Sequence, residues 1–200
     1  MVSNISFTSK INFVDANTFC NLCQGERILY SKFVKADKFN TLALRNCTGS
    51  IAVDYKNNVA KGAHTYPNNL NFEFADTLMS KFFSDIKAQK GFLIGGRYLE
   101  DEQISMGIFE KFKKAFKKKV KDLTVFGGQV FPYSETDFAY NVNTDTLTLC
   151  TMFKRPMEIF EHYVSNIDEL KECFHEIKIA KGDELFINGE KVELNKHVKI

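Results

Sequence analysis

Residues 41–47, with the sequence TLALRNC, decide how we expect this chain to fold, because the alternating pattern of a strand in this stretch ends at a cysteine. The apolar residues Leu42 and Leu44 alternate along this stretch, and the same period of two continues after Cys47 in residues 51–55 (IAVDY). Such alternation is typical of a strand with one buried face. The pattern therefore predicts a strand that carries Cys47 to its end.

A second strand is expected to run back toward Cys47. Residues 56–58 (KNN) indicate a turn, and the following strand, at about 59–66, contains His64. A free thiol is mostly protonated at neutral pH and only the thiolate attacks well, so a nearby imidazole can serve as its base. Cys47 and His64 are thus a candidate nucleophile and general base, with a purely structural histidine as the alternative.

The spacing of these residues resembles that of the chemoreceptor glutamine deamidase CheD family. In that family a threonine lies six residues before the nucleophilic cysteine and a histidine seventeen after it, which matches Thr41, Cys47 and His64. The resemblance covers roughly residues 33–149. Weaker shared features are a helix start at 75–78, glycine pairs at 95–96 and 127–128, and a hairpin at 140–147.

Two segments depart from the family pattern. Arg45 and Asn46 stand where the family has Gly-Ser before the cysteine, and residues 129–132 (QVFP) replace a segment that usually contains arginine. A similar order of cysteine and histidine occurs in the cytotoxic necrotizing factor toxins, which also deamidate protein glutamines. A toxin or effector relative is therefore included in the hypothesis.

The resemblance implies an enzyme that deamidates a glutamine side chain of a protein substrate and releases ammonia. Cys47 would be the nucleophile, His64 the general base and Thr41 the residue that orients His64, with no metal or organic cofactor. We expect a cytoplasmic protein, or an effector with a virulence role that enters a host cell without a signal peptide. The alternatives are transglutaminase-type acyl transfer and a non-catalytic CheD-like protein-binding module.

The same resemblance implies the α+β class, with a CheD-like β-sandwich or mixed-sheet core and helices on its outer faces. Three parts are predicted. Residues 1–32 are an N-terminal extension without an assigned role, residues 33–153 are the catalytic core, and residues 154–200 are a helical and hairpin extension packed on the core.

Hydrophobic periodicity and turn residues predict the other elements. They are short strands at 5–7 and 11–13, a turn at 37–40, helices at 74–86 and 101–121, a helix cap at Gly91, a strand at 92–94 ended by Gly95 and Gly96, a strand at 123–126, a hairpin at 138–152, one or two helices at 157–174, and a hairpin turning at Asn188 and Gly189. For Gly95 and Gly96 we expect a turn or close packing rather than phosphate binding.

Composition limits the classes of function. The 200 residues are 44% hydrophobic with a formal net charge of +2, which indicates a globular chain without overall affinity for polyanions. No apolar run reaches the roughly 20 residues that span a bilayer. The helix at 101–121 carries seven lysines, which indicate a solvated face or a surface for an acidic protein partner rather than nucleic acid: Lys111, Lys113, Lys114, Lys117, Lys118, Lys119 and Lys121.

The remaining cysteines and histidines give weaker signals. Five cysteines without a regular framework favour a reducing compartment. Cys20 and Cys23 form a CxxC without a second pair, so we expect no metal site there. Cys150 and Cys173 are expected to be buried core thiols, and the following are expected to be surface histidines: His162, His175 and His197.

Overall fold

The computed structural model describes residues 8–30, 32–99 and 103–194. The predicted strand at 5–7 and His197 lie outside these ranges. The described strands are β1 (Lys10–Phe13), β2 (Glu26–Arg27), β3 (Phe33–Ala36), β4 (Lys38–Leu44), β5 (Thr48–Asp54), β6 (Val59–Thr65), β7 (Lys90–Arg97), β8 (Asp122–Gln129), β9 (Glu135–Asn141), β10 (Thr146–Phe153), β11 (His162–Tyr163), β12 (Phe174–Lys178), β13 (Glu184–Ile187) and β14 (Glu190–Lys191). The described helices are α1 (Ala16–Leu22), α2 (Asn69–Glu73), α3 (Ala75–Phe83), α4 (Gln103–Lys119) and α5 (Ile167–Cys173).

The strands form two mixed sheets. The first sheet has the order β14-β13-β1-β10-β9-β4-β2, with β11 also paired to β10, and the second has the order β12-β8-β7-β5-β6-β3. In the first sheet β1 runs parallel to both β10 and β13, and in the second β7 runs parallel to β8. Two mixed sheets with helices are consistent with the predicted α+β class.

The two sheets pack face to face through aromatic side chains. Phe13 of the first sheet meets Phe126 of the second with ring centroids 5.2 Å apart, and Phe92 lies 5.6 Å from Tyr140 in the same way. All four rings are almost completely buried. Since burying one such side chain stabilises a fold by about 1.5–3 kcal/mol, this layer is a main source of stability.

Helices cover the outer face of each sheet. In the second sheet, side chains alternate between the layer shared by the two sheets and a separate cluster beneath α3 and α4. Phe82 of α3 and Phe109, Phe112 and Phe116 of α4 are buried in that outer cluster. The short helix α1 buries Phe19 against the first sheet.

Segments from both ends of the chain supply strands to these sheets. β1 lies between β13 and β10 in the first sheet, and β12 pairs antiparallel with β8 in the second. The predicted hairpin at Asn188 and Gly189 is confirmed as β13 and β14, with φ of 49° and 84° as a two-residue type I′ turn requires. The predicted hairpin at 138–152 is confirmed as β9 and β10.

Several predicted elements are wrong in detail. The alternating stretch from 41 to 55 is two strands in different sheets, because a bulge after Thr41, with Ala43 at φ 62°, turns the chain. The expected turn at 37–40 is confined to Asp37, since β4 already begins at Lys38. Gly91 lies inside β7, where a Cβ atom would come within 2.6 Å of the Phe116 ring.

The predicted helices are shorter than expected. The pattern at 74–86 forms α3 after the separate short helix α2, and the pattern at 101–121 forms α4 from Gln103 to Lys119, while residues 101 and 102 lie outside the described ranges. Only α5 forms within 157–174 among the described residues. Met157 follows Pro156 and has a φ of 73°, which lies outside the helical range, and the apolar side chains of Met157, Ile159 and Phe160 are exposed.

Candidate active site

The candidate site lies where the chain crosses from the first sheet to the second, between β4 and β5. The crossing begins at the bulge, where the Ala43 amide donates a hydrogen bond of 2.7 Å to Oδ1 of Asp137. It continues through exposed Arg45 and ends at Cys47, immediately before β5. A φ of 62° is unusual for alanine, and the hydrogen bond that the Ala43 amide donates to the Asp137 side chain helps to hold this conformation.

His64 and Thr41 come from opposite sheets and meet in the interior. His64 is on β6, paired with Gly49 of β5, whereas Thr41 is on β4 of the first sheet. Oγ1 of Thr41 lies 2.7 Å from Nδ1 of His64 and 3.1 Å from the carbonyl oxygen of Ile28, to which it donates. The structure therefore brings the predicted orienter and the predicted base into direct contact.

These two hydrogen bonds favour one tautomer of His64. A threonine hydroxyl has one proton, and here that proton is directed to the Ile28 carbonyl. The hydroxyl can then only accept from the imidazole, which places the ring proton on Nδ1. The lone pair is thereby assigned to Nε2, which is buried and has no hydrogen-bond partner in the described part of the chain.

Gly49 allows the two sheets to approach closely beside this pair. A Cβ atom at Gly49 would lie 2.6 Å from the Phe138 ring and 2.8 Å from the Leu44 side chain, both in the first sheet. Real Cβ atoms do not come so close, so a larger residue would push the sheets apart. The contact between Thr41 and His64 depends on this close approach.

Burial governs the charge of His64. The residue is 2% exposed, and this desolvation lowers the pKa of His64 from 6.5 to about 4. The ring of Tyr30 packs edge-on against the imidazole with centroids 4.5 Å apart and contributes to the cover. At neutral pH the imidazole is therefore uncharged, which is the form that can take a proton from a thiol.

Cys47 lies on the same face of the second sheet as His64. It precedes Gly49 by two residues, and its side chain belongs to the core layer between the sheets, as do Ile51 and Val53 farther along β5. The residue is 2% exposed, and its thiol makes a long contact of 3.8 Å to Oδ1 of Asn46. Cys47 and His64 thus share this face of the second sheet, and Thr41 reaches it from the facing sheet.

The loop that carries Cys47 is held through its carbonyl groups. Nε2 of Gln129 donates to the Leu44 carbonyl at 2.5 Å, Oγ of Ser105 donates to the Asn46 carbonyl at 2.5 Å, and the Gly96 amide donates to the Cys47 carbonyl at 2.9 Å. No pattern in the sequence predicts the roles of Gln129 and Ser105. Neither residue lies near Cys47 in the sequence. Among the groups that hold this loop, only the glycine pair at 95–96 stands out in the sequence.

One reason for the glycine pair at 95–96 is the close contact of Gly95 with the loop that carries Cys47. A Cβ atom there would lie 2.4 Å from the Cys47 carbonyl oxygen, and its φ is 89°. Both observations require glycine if β7 is to contact the loop. The expectation of close packing for Gly95 and Gly96 is confirmed.

A small cavity of about 120 Å³ opens beside the imidazole. Its lining is formed by Arg27, Ile28, Leu29, Tyr30, Thr41, Leu42, Ala43 and His64. At the surface nearby, Leu29, Tyr30 and Tyr66 are each about half exposed, at 54%, 58% and 47%. No pattern in the sequence predicts a role in the site for Tyr30, whose ring contacts both His64 and Tyr66.

The other cysteines occupy different surroundings. Cys20 is exposed and Cys23 half-buried, and all five cysteines are free thiols. Cys150 and Cys173 are buried as predicted, and desolvation raises the pKa of each thiol to about 12. Among residues 8–30, 32–99 and 103–194, no group of three or more histidine, cysteine, aspartate or glutamate side chains is arranged to hold a metal ion.

The two described histidines outside the site have local partners. His162 is partly exposed and lies 3.1 Å from Glu158, and exposed His175 stacks on Tyr98 with ring centroids 3.9 Å apart. Both therefore have surface positions, as expected.

No protein-family model matches this chain, and no curated protein shows significant similarity to it. None of the helices in the described ranges is both long and apolar enough to cross a bilayer.

Proposed function

We propose that the protein is a CheD-like cysteine hydrolase that deamidates a glutamine side chain of a protein substrate. The observation that carries the proposal is the hydrogen-bond chain from His64 through Thr41 to the Ile28 carbonyl. This series of hydrogen bonds leaves Nε2 as the basic nitrogen of a neutral imidazole. The imidazole lies on the face of the second sheet that also carries Cys47. A nucleophile, a base and an orienting group are the parts that acyl transfer through a thioester needs.

The first half-reaction forms a thioester. Nε2 of His64 takes the thiol proton, and the Cys47 sulfur attacks the carboxamide carbon of glutamine. The imidazolium then gives its proton to the nitrogen, the carbon–nitrogen bond breaks, and ammonia leaves. In the second half-reaction His64 takes a proton from water, the hydroxide attacks the thioester, and the thiolate leaves with glutamate as the product.

The negative oxygen of each tetrahedral intermediate needs a hydrogen-bond donor, for which we propose the Cys47 amide. The Asn46 carbonyl, in the same peptide unit, is held by Ser105, and in a trans peptide the N–H points opposite to the carbonyl. Ser105 therefore orients this amide. Loss of one such donor lowers turnover by about a hundredfold or more in other enzymes.

The shape of the site suits a side chain better than a folded segment. The cavity of about 120 Å³ beside His64 is small, and the exposed side chains of Leu29 and Tyr30 line it, with Tyr66 against the Tyr30 ring. A slender carboxamide could enter while the surrounding protein surface contacts these residues. Aromatic residues of this kind are enriched where proteins contact each other.

We also propose a reducing location for this activity, either the cytoplasm of the producing cell or that of a host cell reached as an effector. Five free thiols, including a nucleophile, are suited to such a compartment. A role in virulence would follow from the second case.

Thiol reactivity tests whether Cys47 is activated. Treatment with iodoacetamide, followed by mass spectrometry of each cysteine, should modify Cys47 faster than Cys150 and Cys173, which are similarly buried and have no histidine base among the described residues. Exposed Cys20 serves as a reference for an accessible thiol. Equal rates at the three buried cysteines would favour the non-catalytic binding module.

Deamidation itself is tested with candidate protein substrates in water enriched in heavy oxygen. The wild-type protein and a Cys150→Ala control should convert glutamine to glutamate with incorporation of the heavy isotope, whereas Cys47→Ala should not. A primary amine added to the same reaction tests for acyl transfer, since a transglutaminase would form an amine adduct. If no glutamine changes although Cys47 is reactive, the deamidase assignment loses its support.

A further inference from the structure

A groove with a cavity of about 460 Å³ lies between α3 and α4, on the outer face of the second sheet. Cys47 and His64 face the opposite side of that sheet, toward the interior. The groove is therefore separate from the candidate active site. The groove forms because the two amphipathic helices pack side by side through their buried faces, while their exposed edges are separated.

One side of the groove is strongly basic. Lys111, Lys114 and Lys118 follow each other at spacings of three and four residues, so they form one stripe along α4, and Lys119 extends it. Among the described residues, the one carboxylate in the lining is that of Asp76 on α3.

The charge of this stripe is not neutralised by the described residues. Lys113, which points elsewhere, has ion pairs of 2.6 Å with both Glu110 and Glu176. In contrast, no carboxylate in the described ranges lies within ion-pair distance of Lys114 or Lys118. Among the described residues, the lining of the groove thus carries more positive than negative charge, which attracts anions.

The floor of the groove is apolar. Met79 is almost completely buried, and Phe83 and Ala115 are half-buried and line the same cavity. Phe83 is held in place by the Phe116 ring, with centroids 4.9 Å apart. A ligand that fills the groove would therefore meet cations along one edge and hydrocarbon beneath.

We propose that this groove binds an acidic, amphipathic peptide segment of a partner protein. The stripe from Lys111 to Lys119 extends about 12 Å along the helix, which exceeds the reach of one phosphate group and matches several residues of peptide. Carboxylates spaced along the segment would face the lysines, and an apolar side chain between them would contact Phe83 and Met79. Charge complementarity provides attraction, and the floor provides selectivity for a peptide over a simple anion.

Fluorescence anisotropy with a labelled synthetic peptide of glutamates interrupted by single leucines tests this inference. Reversing two charges in Lys114→Glu, Lys118→Glu should weaken binding by about tenfold or more. A matched double variant, Lys56→Glu, Lys181→Glu, changes the net charge equally at exposed turns elsewhere and should bind within about twofold of wild type. The Cys47→Ala protein should bind unchanged, because the groove is separate from the active site.

Two further measurements can contradict the proposal. A peptide of glutamates alone, with the same charge, should bind several-fold more weakly, and equal affinity would mean that the apolar floor plays no part. Equal weakening by the two double variants would show a general charge effect instead of a site. Loss of binding in Cys47→Ala would place the peptide in the active site and overturn the inference.

Discussion

Replacing Thr41 by valine should show whether the reactivity of Cys47 needs His64 to be oriented by a hydrogen bond or only to be present. Valine has nearly the same shape as threonine but lacks the hydroxyl that joins Nδ1 of His64, 2.7 Å away, to the Ile28 carbonyl, 3.1 Å away. Two buried polar groups would lose their partner, at about 1–3 kcal/mol each, so we expect the free energy of unfolding to fall by about 2–6 kcal/mol.

The same change should slow the chemistry at Cys47. Without an acceptor for the Nδ1 proton, the tautomer with a basic Nε2 loses a preference of about 1–2 kcal/mol, which corresponds to roughly tenfold in rate. The assay is the rate of Cys47 alkylation by iodoacetamide at pH 7, measured by mass spectrometry, together with urea unfolding. Thr41→Ser retains the hydroxyl and should restore most of the rate.

Thr124 provides a matched control for this prediction. Its hydroxyl is also completely buried and makes two hydrogen bonds, donating to Asp183 at 2.8 Å and accepting from the Ala180 amide at 3.0 Å. Thr124→Val should therefore lose similar stability without changing the alkylation rate of Cys47. If Thr41→Val and Thr124→Val react at the same rate as wild type, Thr41 does not orient His64 and the reasoning is refuted.

Three other variants test the site. The pKa of His64 is about 4 in the folded protein and ordinarily 6.5, so the free energy of unfolding falls as the pH drops from 6.5 to 4. At about 1.4 kcal/mol per pH unit this loss is roughly 3 kcal/mol. Urea unfolding of His64→Gln should not show this pH-dependent loss. Gly49→Ala should cost about 1–3 kcal/mol in thermal unfolding and slow Cys47 alkylation, because its Cβ would force the sheets apart. Ser105→Ala should lower deamidation by about tenfold, because the Asn46 carbonyl loses its donor.

Specific outcomes would contradict these expectations. Equal pH dependence of unfolding in wild type and His64→Gln would mean that the imidazole is not buried in its neutral form. Normal alkylation in Gly49→Ala would show that the contact between the sheets is not needed to position His64. For Ser105→Ala, a loss of stability with unchanged turnover would indicate a structural role alone.

The local elements followed from the sequence where one physical pattern dominated. The strand from Val59 to Thr65, the hairpin of β9 and β10, and the Asn188–Gly189 turn were predicted because alternation and turn chemistry act over a few residues. The stretch from 41 to 55 was predicted less well, since the same alternation continues across a bulge that transfers the chain to another sheet.

The interior of the site was only partly predictable. Spacing and resemblance selected Thr41, Cys47 and His64, but nothing in the sequence indicated Gln129 or Ser105, which hold the loop from distant elements. Their hydrogen bonds depend on how β8 and α4 pack against the crossing. Such contacts are decided by tertiary packing, which a local pattern does not encode.

For this protein, the sequence by itself determined which residue types are available for the chemistry: a cysteine, a histidine and a threonine at defined intervals within alternating strands. Only the tertiary structure decided that Thr41 and His64 meet, since they belong to different sheets and approach each other only because Gly49 lets those sheets pack closely. The tautomer of His64 follows from its hydrogen bond to Thr41, and its lowered pKa follows from burial. Desolvation and hydrogen-bond partners come from residues that are remote in the chain and adjacent in the fold.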